Sequence, residues 1–127
     1  MTVAAVRAQS MRRSETPNAV MTTLASPTQG SAGGLSMWKI AMEAGQQGPL
    51  HVIDGEQVWH VLSGDVDFAV GDETVHLHAG DAVVLPGAIE RQVTAATAAE
   101  IIACGPSAVL ATVVGELQSR GTPPWIS

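Results

Sequence analysis

The sequence predicts an all-β fold, a sandwich or a barrel, on three observations. Short stretches alternate apolar and polar residues with the period of two that half-buried strands show. Turns rich in Gly, Pro and Asp separate these stretches at a spacing typical of sandwiches and barrels. No segment before the tail has a convincing helical pattern, and Pro123-Pro124 excludes a helix interior in the tail itself. The 127 residues, 46% hydrophobic and 14% charged, fit one globular domain.

Eight strands are predicted in chain order. The first, residues 35–42, shows the alternation well, because Trp38, Ile40 and Met42 share one face. The others cover residues 57–62, 66–70, 74–77, 82–85, 92–94, 101–104 and 109–114. Gly-Asp ends the second strand, and Gly-Asp-Glu forms a hairpin turn after the third.

Two segments stand outside these strands. Residues 1–13 have no clear periodicity and are predicted to be an N-terminal arm, either disordered or exchanged between the subunits of a dimer. Residues 14–127 then form the domain. Residues 26–34 are a loop by composition, and their glycines would let this loop act as a lid.

Charge is scarce and unevenly distributed. The chain has 12 acidic and 6 basic residues, a net charge of −6, and Arg7, Arg12 and Arg13 lie at its start. From Ser14 onward 3 bases face 12 acids, a balance of −9, which excludes nucleic acid as a partner. No apolar run approaches the roughly 20 residues of a membrane span or forms a signal-peptide core, so a cytoplasmic protein without a membrane partner is expected. Cys104 is the only cysteine, and its apolar strand places it in the core.

Two motifs between residues 48 and 91 resemble those of the cupin family, particularly its small bacterial single-domain members. The first spans Gly48 to Gly64. The second, which the family writes as Gly-Asp-x4-Pro-x-Gly-x2-His, is similar to the stretch from Gly80 to Arg91. Fifteen residues separate them, a short spacing typical of compact members. The resemblance implies a single-domain cupin β-barrel, of the double-stranded β-helix or jelly-roll type, that binds a small molecule and forms a homodimer.

The resemblance also implies a metal site of three His and one Glu inside the barrel, but the matching positions depart from it. Only the first His is present, as His51, and the other positions are occupied by Ile53, Gln57 and Arg91. Isoleucine offers no lone pair, an amide is a weak ligand, and arginine is a cation without an acceptor. Shifting the alignment toward Glu56 would turn every side chain of that strand to the other face. We therefore expect no metal cofactor.

Six residues are predicted to form a site in the barrel: His51 and Arg91 as catalytic residues, and Gln57, Trp59, Ile53 and Val93 as substrate-binding residues. Arg91 either forms a structural ion pair with a nearby acid or anchors a carboxylate, enolate or carbonyl of the substrate. His51 either transfers a proton or is a hydrogen-bonded core histidine. Gln57 orients the substrate or satisfies its neighbours, and Trp59 is an aromatic wall or fills the core.

The other histidines are predicted to lie outside this site. His76 and His78 form His-x-His, a spacing that suggests metal, but Leu77 between them is apolar and should be the buried residue. A solvated strand face is therefore favoured for both imidazoles. The same alternation turns His60 away from the pocket, toward an interface.

Three functions remain open. The favoured one is a metal-independent isomerase, cyclase or lyase for a small, mostly apolar organic substrate with a carbonyl or acidic group, in which Arg91 holds the oxygen and His51 moves a proton. The second is a non-catalytic module that binds such a molecule, favoured by the lack of a paired acid and base. The third is an atypical metal-dependent dioxygenase or isomerase that holds a metal through His51, Gln57 and partners such as Glu56 or His60.

Overall fold

Two antiparallel sheets make up the protein. The computed structural model describes residues 3–127, so the first two residues of the predicted arm lie outside it. The strands are β1 (Arg12–Thr16), β2 (Ala19–Ala25), β3 (Leu35–Met42), β4 (His51–Ile53), β5 (Gln57–Ser63), β6 (Val66–Val70), β7 (Glu73–Leu77), β8 (Ala82–Leu85), β9 (Glu90–Ala95), β10 (Ala99–Pro106) and β11 (Ala111–Val113). One sheet has the order β1-β2-β3-β10-β5-β8 and the other β11-β4-β9-β6-β7. The predicted jelly roll is confirmed.

Each of the eight predicted strands has a counterpart, and three strands were not predicted. The unpredicted β1 carries three charged residues in five and pairs only with β2, so it lacks a clear core-facing pattern. The unpredicted β4 has only three residues. The predicted strand 101–104 is longer in the structure, because β10 pairs with β3 along its whole length and with β5 from Glu100 to Cys104.

The predicted arm overlaps the first strand. Residues 3–13 include one turn of 3-10 helix, Ala8–Ser10, and the first two residues of β1. β1 pairs with β2 of the same chain, from Arg12 opposite Thr23 to Thr16 opposite Ala19. Within residues 3–127, no helix has the length and apolar character needed to cross a membrane.

The core lies between the two sheets. It contains apolar side chains from both, among them Trp38, Ile40, Met42, Ile53, Trp59, Val61, Val66, Phe68, Leu85, Val93 and Ile101. The rings of Trp59 and Phe68 meet edge to face with centroids 5.4 Å apart, a favourable aromatic geometry. β5 has the alternation that the sequence predicts, because Gln57, Trp59 and Val61 are buried while Val58 is exposed.

Gly64 holds the end of β5 in place. Its φ is +84°, and a Cβ there would lie 2.1 Å from the Ala98 carbonyl oxygen, so only glycine fits. With this end fixed, the alternation along β5 turns Gln57 inward and leaves Glu56 exposed.

Candidate functional site

A cavity of about 490 Å³ lies between the two sheets. Its walls are mostly apolar side chains: Ala19, Met21, Trp38, Ile40, Met42, Ile53, Trp59, Val93, Trp125 and Ile126. His51 and Gln57 are the polar side chains of β4 and β5 that border it. A volume of this size is usual for a site that binds a small organic molecule.

Five of the six predicted site residues line this cavity: His51, Ile53, Gln57, Trp59 and Val93. The sixth, Arg91, borders an adjoining void of about 10 Å³ that it shares with His51, Trp59 and Val93. Antiparallel pairing of β4 with β9 places Arg91 directly opposite His51. The predicted residues are therefore close together, five in the wall of the cavity and Arg91 beside the adjoining void.

His51 has one ring nitrogen hydrogen-bonded to the backbone and the other left without a proton. Its Nδ1 lies 2.7 Å from the Pro49 carbonyl oxygen, which only accepts, so Nδ1 carries the proton and donates. The neutral ring then keeps a lone pair on Nε2. Burial lowers the pKa of His51; the Pro49 hydrogen bond opposes this, and the positive charge of Arg91 adds to the lowering. At neutral pH the imidazole is therefore uncharged and can accept a proton at Nε2.

Arg91 is a buried cation that bonds to carbonyl oxygens. It is 2% exposed. Nε donates to the Ile89 carbonyl at 3.4 Å and Nη2 to the Pro86 carbonyl at 2.5 Å. Within residues 3–127, no carboxylate lies within 4.0 Å of it, so the structural ion pair left open by the sequence is absent there. Burial lowers the pKa of Arg91 to about 10, which leaves it charged at neutral pH.

Gln57 links Arg91 to Trp59. Its Oε1 accepts a hydrogen bond from Trp59 Nε1 at 3.0 Å and another from Arg91 Nη1 at 3.3 Å. The side chain is buried, so both bonds form away from bulk water. A Cβ on Gly105 would lie 3.2 Å from Gln57 Cγ and 2.8 Å from the Glu56 carbonyl oxygen. Any residue other than glycine at this position would therefore crowd the Gln57 side chain.

Residues 121–127, here called the strap, form part of the cavity wall. The sequence did not predict this. Trp125 and Ile126 of the strap border the cavity. Three buried hydroxyls donate to its carbonyl oxygens: Thr23 to Trp125 (2.8 Å), Ser36 to Ile126 (2.5 Å) and Ser26 to Ser127 (2.8 Å). These partners are 90 to 102 residues apart, so no local pattern connects them.

β3 also contributes a wall that the sequence did not assign to the site. Trp38, Ile40 and Met42 point into the cavity from one face of this strand. Their alternation was visible in the sequence and was the available signal. The position of β3 beside the cavity depends on its pairing with β10 and β2.

The remaining histidines lie outside the cavity, as the alternation predicts. On β7, Leu77 is buried while His76 and the following His78 are exposed. Nδ1 of His78 lies 2.5 Å from an Asp65 carboxylate oxygen, and His76 bonds in the same way to Asp67. The hydrogen bond that His78 donates to Asp65 is the main reason that the pKa of His78 is raised.

The prediction that Cys104 lies in the core is wrong. Ala103 and Gly105 take the inward positions of β10, so Cys104 is half-buried on the outer face. There it joins an apolar row across four neighbouring strands, formed by Met37, Cys104, Val58 and Val84.

The two motifs thus lie on β4–β5 and β8–β9, and they bring His51, Gln57 and Arg91 together. The sequence model of the Cupin domain matches residues 38–104, just over half of the chain. The chain belongs to the cupin family. No curated protein matches this cupin by sequence.

Solved structures share the fold of this cupin. Salicylate 1,2-dioxygenase from Pseudoaminobacter salicylatoxidans is 19% identical, with a TM-score of 0.72. The match covers 83% of this chain but only 31% of that enzyme. An RmlC-like cupin from Shewanella frigidimarina is 19% identical with a TM-score of 0.70, covering 80% of this chain and 88% of its own. KdgF from Halomonas sp. is 17% identical with a TM-score of 0.70, and the match covers 81% of this chain and 94% of KdgF. At these identities the likeness shows the fold alone.

The residues at the cupin metal positions do not fit a divalent cation. The charge of Arg91 opposite His51 would repel such an ion, and Oε1 of Gln57 already accepts two hydrogen bonds. Glu56 and His60 are exposed and do not border the cavity. Among the described residues, no three His, Cys, Asp or Glu side chains come together as ligands.

Proposed function

We propose that this cupin is a metal-independent enzyme of the isomerase, cyclase or lyase type, acting on a small, mostly apolar substrate with a carbonyl or acidic group. The observation that supports it is the facing pair on β4 and β9, an uncharged His51 opposite a buried and charged Arg91. A base beside a fixed positive charge suits reactions in which a carbon loses a proton and an oxygen gains negative charge.

In the proposed reaction, Nε2 of His51 takes a proton from the carbon beside the substrate carbonyl. The electron pair of that C–H bond forms the enolate, whose oxygen is stabilised by the positive charge of Arg91 acting through Gln57. One preorganised donor aimed at such an oxygen lowers the barrier by about 3 kcal/mol. Return of the proton to the opposite face of the same carbon gives an epimer, and its return to the γ-carbon of a β,γ-unsaturated substrate gives a double-bond isomer. Loss of a leaving group from the β-carbon, with its bonding electron pair, gives a lyase product.

The walls of the cavity support an apolar substrate. Trp38, Trp59 and Trp125 all border it, and aromatic walls of this kind bind rings and hydrocarbon surfaces. An apolar enclosure also strengthens the interaction between Arg91 and a developing negative charge, because little water screens it.

Hydrogen exchange tests the proposal before the natural substrate is known. 2-Tetralone, a bicyclic ketone with activated C–H bonds beside its carbonyl, is incubated with the protein in D₂O, and deuterium uptake is followed by NMR. We expect His51→Gln to slow uptake by at least about 100-fold, the usual contribution of a general base. His60→Gln, on the outer face of β5, is the matched control and keeps the wild-type rate. Equal rates in wild type and His51→Gln contradict the proposal.

The metal-dependent alternative is separated by two measurements on untagged protein. Uptake that survives treatment with a chelator supports the metal-independent reaction. Stoichiometric metal by elemental analysis, together with loss of uptake on chelation, supports an atypical metal-dependent dioxygenase or isomerase instead.

A non-catalytic binding module is the second candidate function. Among the described residues that border the cavity, only Glu15 carries a carboxylate, and it is exposed on β1, so His51 lacks an acidic partner. Such a module binds 2-tetralone without promoting deuterium uptake, and its binding depends on Arg91.

We also propose that the chain forms a homodimer, with the row of Met37, Cys104, Val58 and Val84 in contact with a second copy. Val84 is 58% exposed and lies beside Val58, so the row presents apolar surface to solvent in one chain. We expect Val84→Lys to shift the sedimentation coefficient toward that of a monomer, and an unchanged coefficient contradicts the contact.

A further inference from the structure

Gln57 presents an unused hydrogen-bond donor at the cavity. The side chain is 2% exposed and borders the cavity, and its Oε1 accepts from Trp59 and Arg91. Its Nε2 donates to no acceptor within residues 3–127. The fully buried polar atoms that lack a partner in residues 3–127 do not include this nitrogen, so it keeps some accessible surface at the cavity, where an acceptor from outside the chain, water or a ligand, can reach it.

The orientation of this amide follows from its two partners. An indole N–H and a guanidinium only donate, so both must face the amide oxygen. Turning the amide over would set its NH₂ group against two donors, one of them charged. The nitrogen of Gln57 therefore points away from Trp59 and Arg91.

Arg91 is less well placed than Gln57 to contact a ligand directly. Three of its five N–H groups already donate, to Ile89, Pro86 and Gln57. It borders the void of about 10 Å³, which holds at most about one water molecule, and it does not border the large cavity. His51 borders both spaces, so the base and the Gln57 amide face the same ligand volume.

We propose that Nε2 of Gln57 binds the ligand's oxygen directly, with Arg91 behind it as a positioning residue, and that this oxygen belongs to a neutral carbonyl rather than a carboxylate. The NH₂ group of one amide is a neutral donor that matches a carbonyl oxygen, whereas a buried carboxylate needs several charge-assisted donors. Among the described residues that border the cavity Arg120 is a cation, but its guanidinium already donates to Glu116. The inference rests on the proposed function in placing the ligand in this cavity, and it narrows the substrate class to aldehydes, ketones and esters.

Three probes of similar size test the inference. 2-Acetylnaphthalene carries one carbonyl, 2-naphthoate carries a carboxylate, and 2-ethylnaphthalene carries neither. Their affinities are measured by quenching of tryptophan fluorescence, since Trp38, Trp59 and Trp125 border the cavity. In wild type we expect 2-acetylnaphthalene to bind roughly tenfold more tightly than 2-ethylnaphthalene, the value of one buried hydrogen bond, and more tightly than 2-naphthoate.

Gln57→Glu is the most informative variant, because it keeps oxygen atoms for Trp59 and Arg91 but has no N–H. We expect it to lose the tenfold preference while its affinity for 2-ethylnaphthalene stays unchanged. Gln47→Glu makes the same chemical change at an exposed side chain that bonds to Thr94, and it keeps the preference.

The carbonyl stretching frequency of bound 2-acetylnaphthalene tests the positioning role of Arg91. The hydrogen bond from Gln57 lowers this frequency in wild type, and Gln57→Glu abolishes the lowering. We expect Arg91→Lys, which keeps a positive charge behind the amide, to retain most of the lowering, and Arg91→Met to lose most of it. Equal frequencies in these two Arg91 variants contradict the positioning role.

Two results overturn the assignment of Gln57: a preference for 2-acetylnaphthalene that persists in Gln57→Glu, or tighter binding of 2-naphthoate by wild type. Either result leaves the proposed function standing, because binding in the cavity and deuterium uptake by 2-tetralone are measured separately. Failure of all three probes to bind wild type overturns both the assignment and the cavity as the ligand site.

Discussion

Replacing Arg91 with methionine tests whether the buried charge serves function rather than stability. Burial lowers the pKa of Arg91 from the more alkaline value of an exposed arginine to about 10. Each pKa unit corresponds to about 1.36 kcal/mol, so the buried charge destabilises the folded protein by about 3 kcal/mol. Methionine has a similar length and carries no charge, so it removes this penalty.

The lost hydrogen bonds oppose this gain. Without the guanidinium, the Pro86 and Ile89 carbonyl oxygens lose a donor, at about 1 kcal/mol each, while Oε1 of Gln57 keeps its bond from Trp59. We therefore expect Arg91→Met to raise the free energy of unfolding by about 1 kcal/mol. The same variant loses deuterium uptake by 2-tetralone.

Urea denaturation at pH 7, followed by tryptophan fluorescence, measures the change. Arg13→Met is the matched control, since Arg13 is exposed on β1, and its effect stays within about 0.5 kcal/mol. The folded pKa of Arg91 lies below its unfolded value, so the penalty is complete below about pH 10 and is lost as the pH rises above it. The free energy of unfolding of the wild type should therefore rise relative to that of Arg91→Met in alkaline solution. A loss of more than about 2 kcal/mol in Arg91→Met at pH 7 would refute the reasoning and make Arg91 a structural residue.

Three further outcomes are expected. Thr23→Val removes the buried hydroxyl that donates to Trp125. We expect the free energy of unfolding, measured by thermal denaturation, to fall by about 1–2 kcal/mol in this variant and to change very little in Thr22→Val. Asp65→Asn should lower the pKa of His78 toward its ordinary value by NMR titration, since the Asp65 hydrogen bond is the main cause of its raised value; an unchanged titration contradicts that pairing. The pKa of His51 is lowered, so its base form persists to lower pH than that of an ordinary imidazole. The midpoint of the decline in deuterium uptake on acidification should therefore lie below about pH 6.5, and a midpoint above about 7 argues against His51 as the base.

Strand prediction succeeded where one face of a strand is buried. Trp38, Ile40 and Met42 on β3 and the Gln57–Val61 stretch of β5 alternate visibly, because each second side chain enters the core. β1 escaped prediction because its charged residues leave no apolar face, and its position depends on pairing with β2. Cys104 was misplaced because its strand is apolar on both faces, so alternation does not mark which one enters the core.

By itself, the sequence determined which side chains stand at the four cupin ligand positions, and hence that a cation replaces a histidine in an otherwise acidic domain. Tertiary structure alone decided that Arg91 lies behind Gln57, which leaves an amide rather than the guanidinium at the cavity. It also decided that the strap closes one wall, held by hydroxyls 90 or more residues away. Residue identity and alternation are local properties, whereas the direction of a hydrogen bond depends on which groups distant strands bring together.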